Sequence, residues 1–483
     1  MSQLARGETV IDHAPGLERA FTKTPAERVE TIRPAGIEGK VPAFVRGTYY
    51  LNGPARFSRG DVRYRHWLDG DGMICALRFG ADGVELRARF VQSPKWQVEE
   101  AAGKALFRAF GTSFSGDRLV RGIALESPVN VSVYPFGGTL LAFGEQGLPI
   151  AIDPVTLETR GLHTFGNSLN PLSPFAAHPK FDPDTGEMFN FGVSFSNTQP
   201  CINLYRFSED GGLVARKRLP LEIPCSLHDF SLGPRHVVFY VSPYRLDMAS
   251  LQAGYTLMEA LEWEPKRGSR LLIADRESGE LTASIPIGAR YSLHTINTFE
   301  RDGSLIVDVV ELDRPVYDQY EVMPDLFTEV GPGRPVRFVI DLENGRVVEK
   351  IEMAYDRAPD FPAIDPRLAH RPCDELWILG ISNTGKPGRK FFDQLAHLDW
   401  RRPADADVYT SPPGRYLGGE PAFVPDPSGE HHGAVICQEF DAETGTGAFL
   451  VFDAGAVGRG PVARLPLESP VHLGFHAFFA PEG

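Results

Sequence analysis

One pattern recurs along the chain: an apolar run ends at a charged residue, a short polar turn follows, and a second apolar run resumes. LLIADRESGELTASIPI (271–287) and VRFVIDLENGRVVEKIEM (336–353) are its clearest copies, with LPIAIDPVTLETRGLHTF (148–165), CINLYRFSEDGGLVARKRLPL (201–221) and FLVFDAGAVGRGPVARLPL (449–467) as looser ones. Each predicts two adjacent antiparallel strands, because apolar runs split by a Gly, Asp, Asn or Ser turn are hairpin signals. Further short β-runs stand between the copies, among them GTLLAFGE (138–145), EMFNFGVSF (187–195), HVVFYVSP (236–243), SLIVDVVEL (304–312), ELWILGIS (375–382) and GAVICQEF (433–440). The repetition runs from about residue 40 to the C-terminus without a strand–helix–strand rhythm. It predicts an all-β chain whose sheets repeat around an axis, a β-propeller. A two-sheet sandwich is the alternative, and 483 residues is long for one.

Helical periodicity is confined to residues 17–30 and 245–263, where Leu246, Leu251, Leu257, Leu261 and Trp263 form an apolar stripe. That second stretch, in an insertion of about 243–267, predicts a cap packed on one propeller face; a peripheral contact with a membrane surface is the second reading of the same stripe. Residues 1–35 are expected as an N-terminal extension and 36–483 as a single catalytic propeller domain. The 49 Gly and 40 Pro fit turn-rich β structure. A net charge of −14, with no basic run interleaved with aromatics, argues against a nucleic-acid partner. The five cysteines, with no C-x-x-C spacing, read as reduced core thiols. No leader-like opening and no run of 18 apolar residues occur, so a cytoplasmic chain without a membrane span is expected.

Several motifs fail on their own chemistry. DGDGM (69–73) begins like a calcium loop but puts Met73 at the third ligand position and Gly80 at the twelfth. GPGRPV (331–336) and GTGAFL (445–450) lack the last glycine of a dinucleotide fingerprint, and P-loop, H-E-x-x-H and G-x-S-x-G motifs are absent. No nucleotide cofactor is expected. Of thirteen histidines, His178, His228, His294 and His476 lie at the ends of apolar β-runs at similar offsets, so on a propeller all four could point to the axis. Four neutral imidazoles suit a borderline transition metal, leaving iron, copper, nickel and zinc open on this ground alone.

The same segments resemble the carotenoid cleavage oxygenase family over nearly the whole chain: GTYYLNGPARF (47–57), RYRHWLDGDGM (63–73), LLAFGEQGLPIAIDPVTLET (140–159), AHPKFDPDTG (177–186), LHDFSL (227–232), HTINTFE (294–300), GEPAFVP (419–425) and GFHAFF (474–479). The resemblance implies a seven-bladed propeller with a helical and loop cap over an axial metal site. It implies one Fe(2+) held by His178, His228, His294 and His476, with O2 as co-substrate. His476 is preferred to His472 because the GFH context carries the likeness; His66, His236 and the His431–His432 pair are read as structural. It further implies that Glu145, Asp360 and Glu420 accept the second N–H of ligand histidines. Asp360 stands where the family generally has Glu, so its bond is expected to be longer, water-bridged or missing.

Within the family, the stilbene-cleaving branch grips its phenol with a Tyr and a Lys. Here RFVQSPKWQVEEAAGKALFRAFGTSF (89–114) puts Phe110 at the Tyr place, and LLAFGEQ (140–146) puts Gly144 at the Lys place. Neither can hydrogen-bond a phenol, and both suit an apolar tunnel. The expected reaction is therefore oxidative cleavage of one conjugated double bond of a carotenoid or apocarotenoid to two carbonyl products. The alternatives are stilbene cleavage, and polyene isomerisation or binding without cleavage. Val129 matches a place where many members have Thr near an open iron position, and Phe110, Val129, Leu293 and Phe361 are the expected walls.

Overall fold

In the computed structural model, which describes residues 11–120, 124–145, 147–196, 198–316, 322–430 and 432–482, every expected hairpin forms an antiparallel pair. Ser269–Asp275 pairs with Leu281–Gly288, Gly333–Asp341 with Arg346–Glu352, Ile150–Ile152 with Thr159–Leu162, Cys201–Phe207 with Leu213–Pro220, and Thr446–Asp453 with Ala463–Pro466. His431 and the first ten residues of the expected extension lie outside the described residues.

These pairs belong to seven sheets of four or five strands, the blades of a β-propeller. Numbered in chain order, blade one is built on Gly47–Arg56 and blade two begins at Ser132–Phe136. Blades three to seven begin at Lys180–Phe181, Ser231–Leu232, Thr295–Arg301, Asp360–Ala363 and Arg415–Val424. The ring closes twice. The C-terminal strand Ala477–Pro481 lies inside Gly47–Arg56 in blade one, and Glu38–Gly39 adds to the outer edge of blade seven. Arg28–Ile32, inside the expected extension, forms the outermost strand of blade one.

Middle strands are buried on both faces because neighbouring blades cover them; Ala434–Asp441 is buried at all eight positions. Gly83–Phe90, one strand in from the edge of blade one, alternates, with every second residue buried.

The helical expectations need correction. Residues 17–30 contain only the short helix Arg19–Thr22 before the chain enters blade one, because Pro25 follows at once. Residues 245–263 form no single helix: Met248–Gln252 and Leu257–Ala260 are two short helices flanked by the paired strands Tyr244–Leu246 and Leu261–Trp263. Gly254 at φ +110° breaks the run between them. Leu246, Leu251, Leu257 and Leu261 are all at most 8% exposed and pack in one cluster with Phe327, Phe391, Phe392 and Phe475. The stripe thus faces inward, over the propeller. No helix among the described residues is long and apolar enough to cross a membrane.

The longest helix, Pro94–Ala102, is one that hydrophobic periodicity misses. Its signals are at the ends: the Ser93 side chain accepts from Trp96 N–H, Pro94 opens the first turn, and Gly103 closes it in the left-handed conformation at φ +64°.

Candidate metal centre

Four innermost strands begin one to three residues after a histidine: His178 before Lys180–Phe181, His228 before Ser231–Leu232, His294 before Thr295–Arg301 and His476 before Ala477–Pro481. Blades three, four, five and one therefore each deliver one imidazole to the axis. One ring nitrogen from each of the four lies within 4.8 Å of the others, and His178 Nε2 stands 2.9 Å from His228 Nε2. His472 is elsewhere, its ring packed against Gly53 and its Nδ1 3.9 Å from Cys75 Sγ.

The other three blades supply carboxylates. Glu145, just past the second strand of blade two, lies 2.9 Å from His228 Nδ1. Asp360 of blade six accepts from His294 Nδ1–H at 2.5 Å, and Glu420 of blade seven accepts from His476 Nδ1–H at 3.3 Å. Anchoring the Nδ1 protons of His294 and His476 fixes their tautomer and turns their Nε2 lone pairs inward.

The Asp360 bond is direct, against the expectation from its shorter side chain. The backbone makes up the missing methylene. The pairing of Asp360–Ala363 with its neighbour shifts register between Asp360 and Ala363, and Phe361 sits at φ +56°, so the Phe361 N–H also donates to the same Asp360 oxygen at 2.9 Å. Blade seven uses a similar device, a register shift between Gly418 and Ala422 around Glu420.

Electrostatics favour the neutral form at two of the four imidazoles. Burial, with the neighbouring imidazoles, pushes His178 and His476 well below the ordinary histidine range. At His228 burial is outweighed by the Glu145 charge, and the net shift is upward. Burial pushes Asp360 up, but His294 and the Phe361 N–H outweigh it and hold the carboxyl below its usual range. Burial raises Glu420 to about 7. His294 Nε2 is buried with no hydrogen-bond partner. Converging imidazole nitrogens, one of them orphaned, are a donor set that a borderline divalent cation satisfies.

A cavity of about 30 Å³ touches His228, His294 and His476 and is otherwise lined mainly by Trp67, Leu68, Val131, Leu293, Phe361, Phe392 and Phe475. A second, of about 60 Å³, holds Phe110, Leu125 and Leu257 and shares Leu68 and Val131 with the first. Leu293, Phe361 and Phe110 thus line these spaces; Val129 does not. Val129 sits at φ +53° with its side chain among Tyr50, Ile74 and Leu140 between blades, and its carbonyl accepts from Asn52 Nδ2 at 3.2 Å. That left-handed residue breaks the two-residue period, and Val131 takes the wall position. Its carbonyl accepts the His476 N–H at 3.1 Å, which holds it beside the imidazoles. Gly144 has no room for any side chain: a Cβ there would lie 2.1 Å from Ser127 Oγ.

A family model described as retinal pigment epithelial membrane protein matches residues 21–481. The chain belongs to this family, the carotenoid cleavage oxygenases. The family is one of non-haem iron oxygenases, and membership makes the chain an enzyme of the carotenoid cleavage dioxygenase type. The chain is 28% identical to apocarotenoid-15,15'-oxygenase from Synechocystis, covering 92% of both chains, and 26% identical to lignostilbene-alpha,beta-dioxygenase isozyme III from Sphingomonas paucimobilis, covering 92% and 93%. Cobalt-substituted Synechocystis apocarotenoid oxygenase superposes with a TM-score of 0.87 at 25% identity, over 97% of this chain and 98% of that one. The family's oxygenases thus share this propeller, and relatives named for polyene and for phenolic substrates both align end to end.

Asp360→Asn tests the bulged carboxylate. The amide keeps the shape but loses the charge, and bound metal should weaken about 10–100-fold. Metal retention against a graded chelator series checks this, and unchanged retention would remove Asp360 from the site.

Proposed function

We propose that His178, His228, His294 and His476 hold one Fe(2+), and that the protein cleaves one conjugated double bond of an apocarotenoid or carotenoid with O2. The observation that carries the reading is the apolar cavity meeting three of the four imidazoles, whose other titratable lining groups are Asp360, already committed to His294, and His66, whose Nδ1 accepts the Leu68 N–H. Bound there, ferrous iron supplies O2 activation. The chain's own residues do the rest. Glu145, Asp360 and Glu420 keep the Nδ1 protons in place. Trp67, Phe361, Phe392 and Phe475 exclude water, and Val131 and Leu68 stand between the metal-side cavity and the one beneath Phe110.

Phe110 and the crowded Gly144 favour a polyene over a phenol, since neither offers a group to a phenolic hydroxyl. Both cavities are far smaller than the roughly 300–1,000 Å³ of ordinary ligand sites, so a polyene enters by displacing the side chains that separate them. The test is O2-dependent turnover of an apocarotenal, β-carotene, isoeugenol and a hydroxystilbene in parallel, with product masses read out. Aldehydes from a polyene support the proposal. Cleavage of the phenolic compounds alone, or geometric isomers without O2 uptake, would overturn it.

Val131→Phe should fill the junction of the two cavities, lowering kcat/KM about 10²-fold while metal content stays at the wild-type level. Equal kinetics would place the substrate path elsewhere.

A further inference from the structure

A second cluster of metal-binding groups lies outside the axial centre, at the seam between blades six and seven. Glu375 opens the second strand of blade six, His397 lies on the third, and His432 stands two residues before Ala434–Asp441 of blade seven. Glu375 Oε2 is 3.2 Å from His432 Nε2, and Glu375 Oε1 is 3.6 Å from His397 Nε2. One ligand atom from each residue falls within 4.8 Å of the others. Two ligands at about 2.0–2.1 Å from a tetrahedral zinc are themselves roughly 3.4 Å apart, so each carboxylate–imidazole spacing is that of two ligands on one ion, with Glu375 offering a different oxygen to each imidazole.

Three features set this cluster apart from an ordinary surface ion pair. His397 is only 8% exposed, and its Nε2 is buried without a hydrogen-bond partner, facing Glu375. Its ring is held from one side by Trp377, stacked at 5.1 Å and 9°, while the Trp377 indole N–H donates to Ala454 O of blade seven. Asp407, directly opposite His397 in the strand register, has a buried Oδ2 with no partner, adding negative potential on the same sheet face. Against these stands Arg401, whose guanidinium donates to Glu375 Oε1 at 3.2 Å. Its side chain is 62% exposed and has Asp399 as a second partner, so it can leave Glu375 without being stranded.

We propose that Glu375, His397 and His432 form a second metal site, for a borderline divalent cation such as Zn2+, that pins blade six to blade seven. Two imidazoles and one carboxylate leave the remaining positions to water, and neutral nitrogen with anionic oxygen is a donor set suited to zinc or cobalt rather than to calcium or magnesium. The site shares no residue with the axial four, so the two can be emptied independently.

The test titrates Zn2+ into the full-length protein, with the axial site loaded, by calorimetry, and follows Co2+ by its visible absorption. The expected result is one further equivalent per chain and a Zn2+-dependent rise in Tm. His432→Ala, at an exposed position, should weaken this equivalent about tenfold or more and remove the Tm rise, and Glu375→Gln should do the same. His178→Ala, which attacks the axial set, should leave it intact. A wild-type protein that takes up no further equivalent, or a His432→Ala variant that binds it as tightly as wild type, would overturn the proposal.

Discussion

His294→Ala should leave the chain folded but unable to hold its axial metal, with metal content and polyene cleavage both at background. The imidazole sits at the meeting point of three features: a buried Nε2 with no other partner, an Nδ1 bonded to Asp360, and a ring face 5.8 Å from that of Phe361 in the cavity wall. Alanine removes a nitrogen ligand and strands Asp360, whose carboxylate keeps only the Phe361 N–H. A buried carboxylate without its partner protonates rather than stay charged, so the neighbouring field changes as well. His472→Ala is the matched control. It also deletes a buried imidazole in the same C-terminal segment, but one packed on Gly53 and away from the cavity. The pair separates ligation from packing: metal analysis and O2 uptake should fall only for His294→Ala, while both variants lose some stability. Full metal occupancy in His294→Ala would exclude His294 from the set.

What the sequence disclosed, and what it hid, follows from the range of the interactions involved. Hairpins and middle strands are local, written in alternating or continuous apolar runs, and they were legible one at a time. The offset of each histidine from its strand was legible too, since the residue count to an innermost strand fixes how near the axis it stands. The partnership of blades was not. Each of the seven blades contributes one group to the centre, four imidazoles and three carboxylates, yet the pairs His228–Glu145, His294–Asp360 and His476–Glu420 span from 56 to 83 residues of chain.

The misreadings share one physical source, the backbone leaving its regular period. Val129 and Val131 belong to the same face of an ideal strand, and only the left-handed turn at Val129 separates them. A one-methylene deficit at Asp360 is absorbed by a bulge that no side-chain pattern reports. In the cap, an apolar stripe at helical spacing was divided by Gly254 into two short helices, whose leucines are buried all the same. Burial followed the apolar composition even where the secondary structure did not.

Lys95→Ala should cost about 3–5 kcal/mol of stability, more than any single wall substitution near the metal, because it strips the cation from a buried ion cluster. Lys95 is 1% exposed and donates to Asp71 Oδ1 at 2.8 Å, Glu99 Oε2 at 2.8 Å and the Tyr64 hydroxyl at 3.0 Å. Arg59 donates to Asp71 Oδ2 at 2.6 Å, so DGDGM, the failed calcium loop, supplies an anion to this cluster instead. The cluster ties the helix Pro94–Ala102 to blade one, and Glu99 Oε1 accepts the N–H groups of Leu106 and Phe107 at the start of the loop that carries Phe110. With Lys95 gone, Asp71 and Glu99 share one guanidinium. At Asp71 burial raises the pKa, but Lys95 and Arg59 outweigh it and the folded value is depressed. Its contribution is therefore present above the unfolded carboxylate pKa of about 3.9 and is lost as pH falls through the lower folded value. At Lys95 burial is outweighed by Asp71, and the folded value is raised. That contribution is present below about 10.4 and is lost as pH rises through the folded value. In the variant the Asp71 carboxylate, stripped of one cation, binds its proton more tightly when folded, so the deficit should narrow on acidification below about pH 5. Urea unfolding across pH, with the neutral combination Asp71→Asn, Lys95→Met, Glu99→Gln alongside, separates charge from packing: the combination should be closer to wild type than Lys95→Ala at pH 7. If Lys95→Ala instead loses less than about 1 kcal/mol, the cluster is hydrated in solution and the cap loop owes its position to apolar contacts alone.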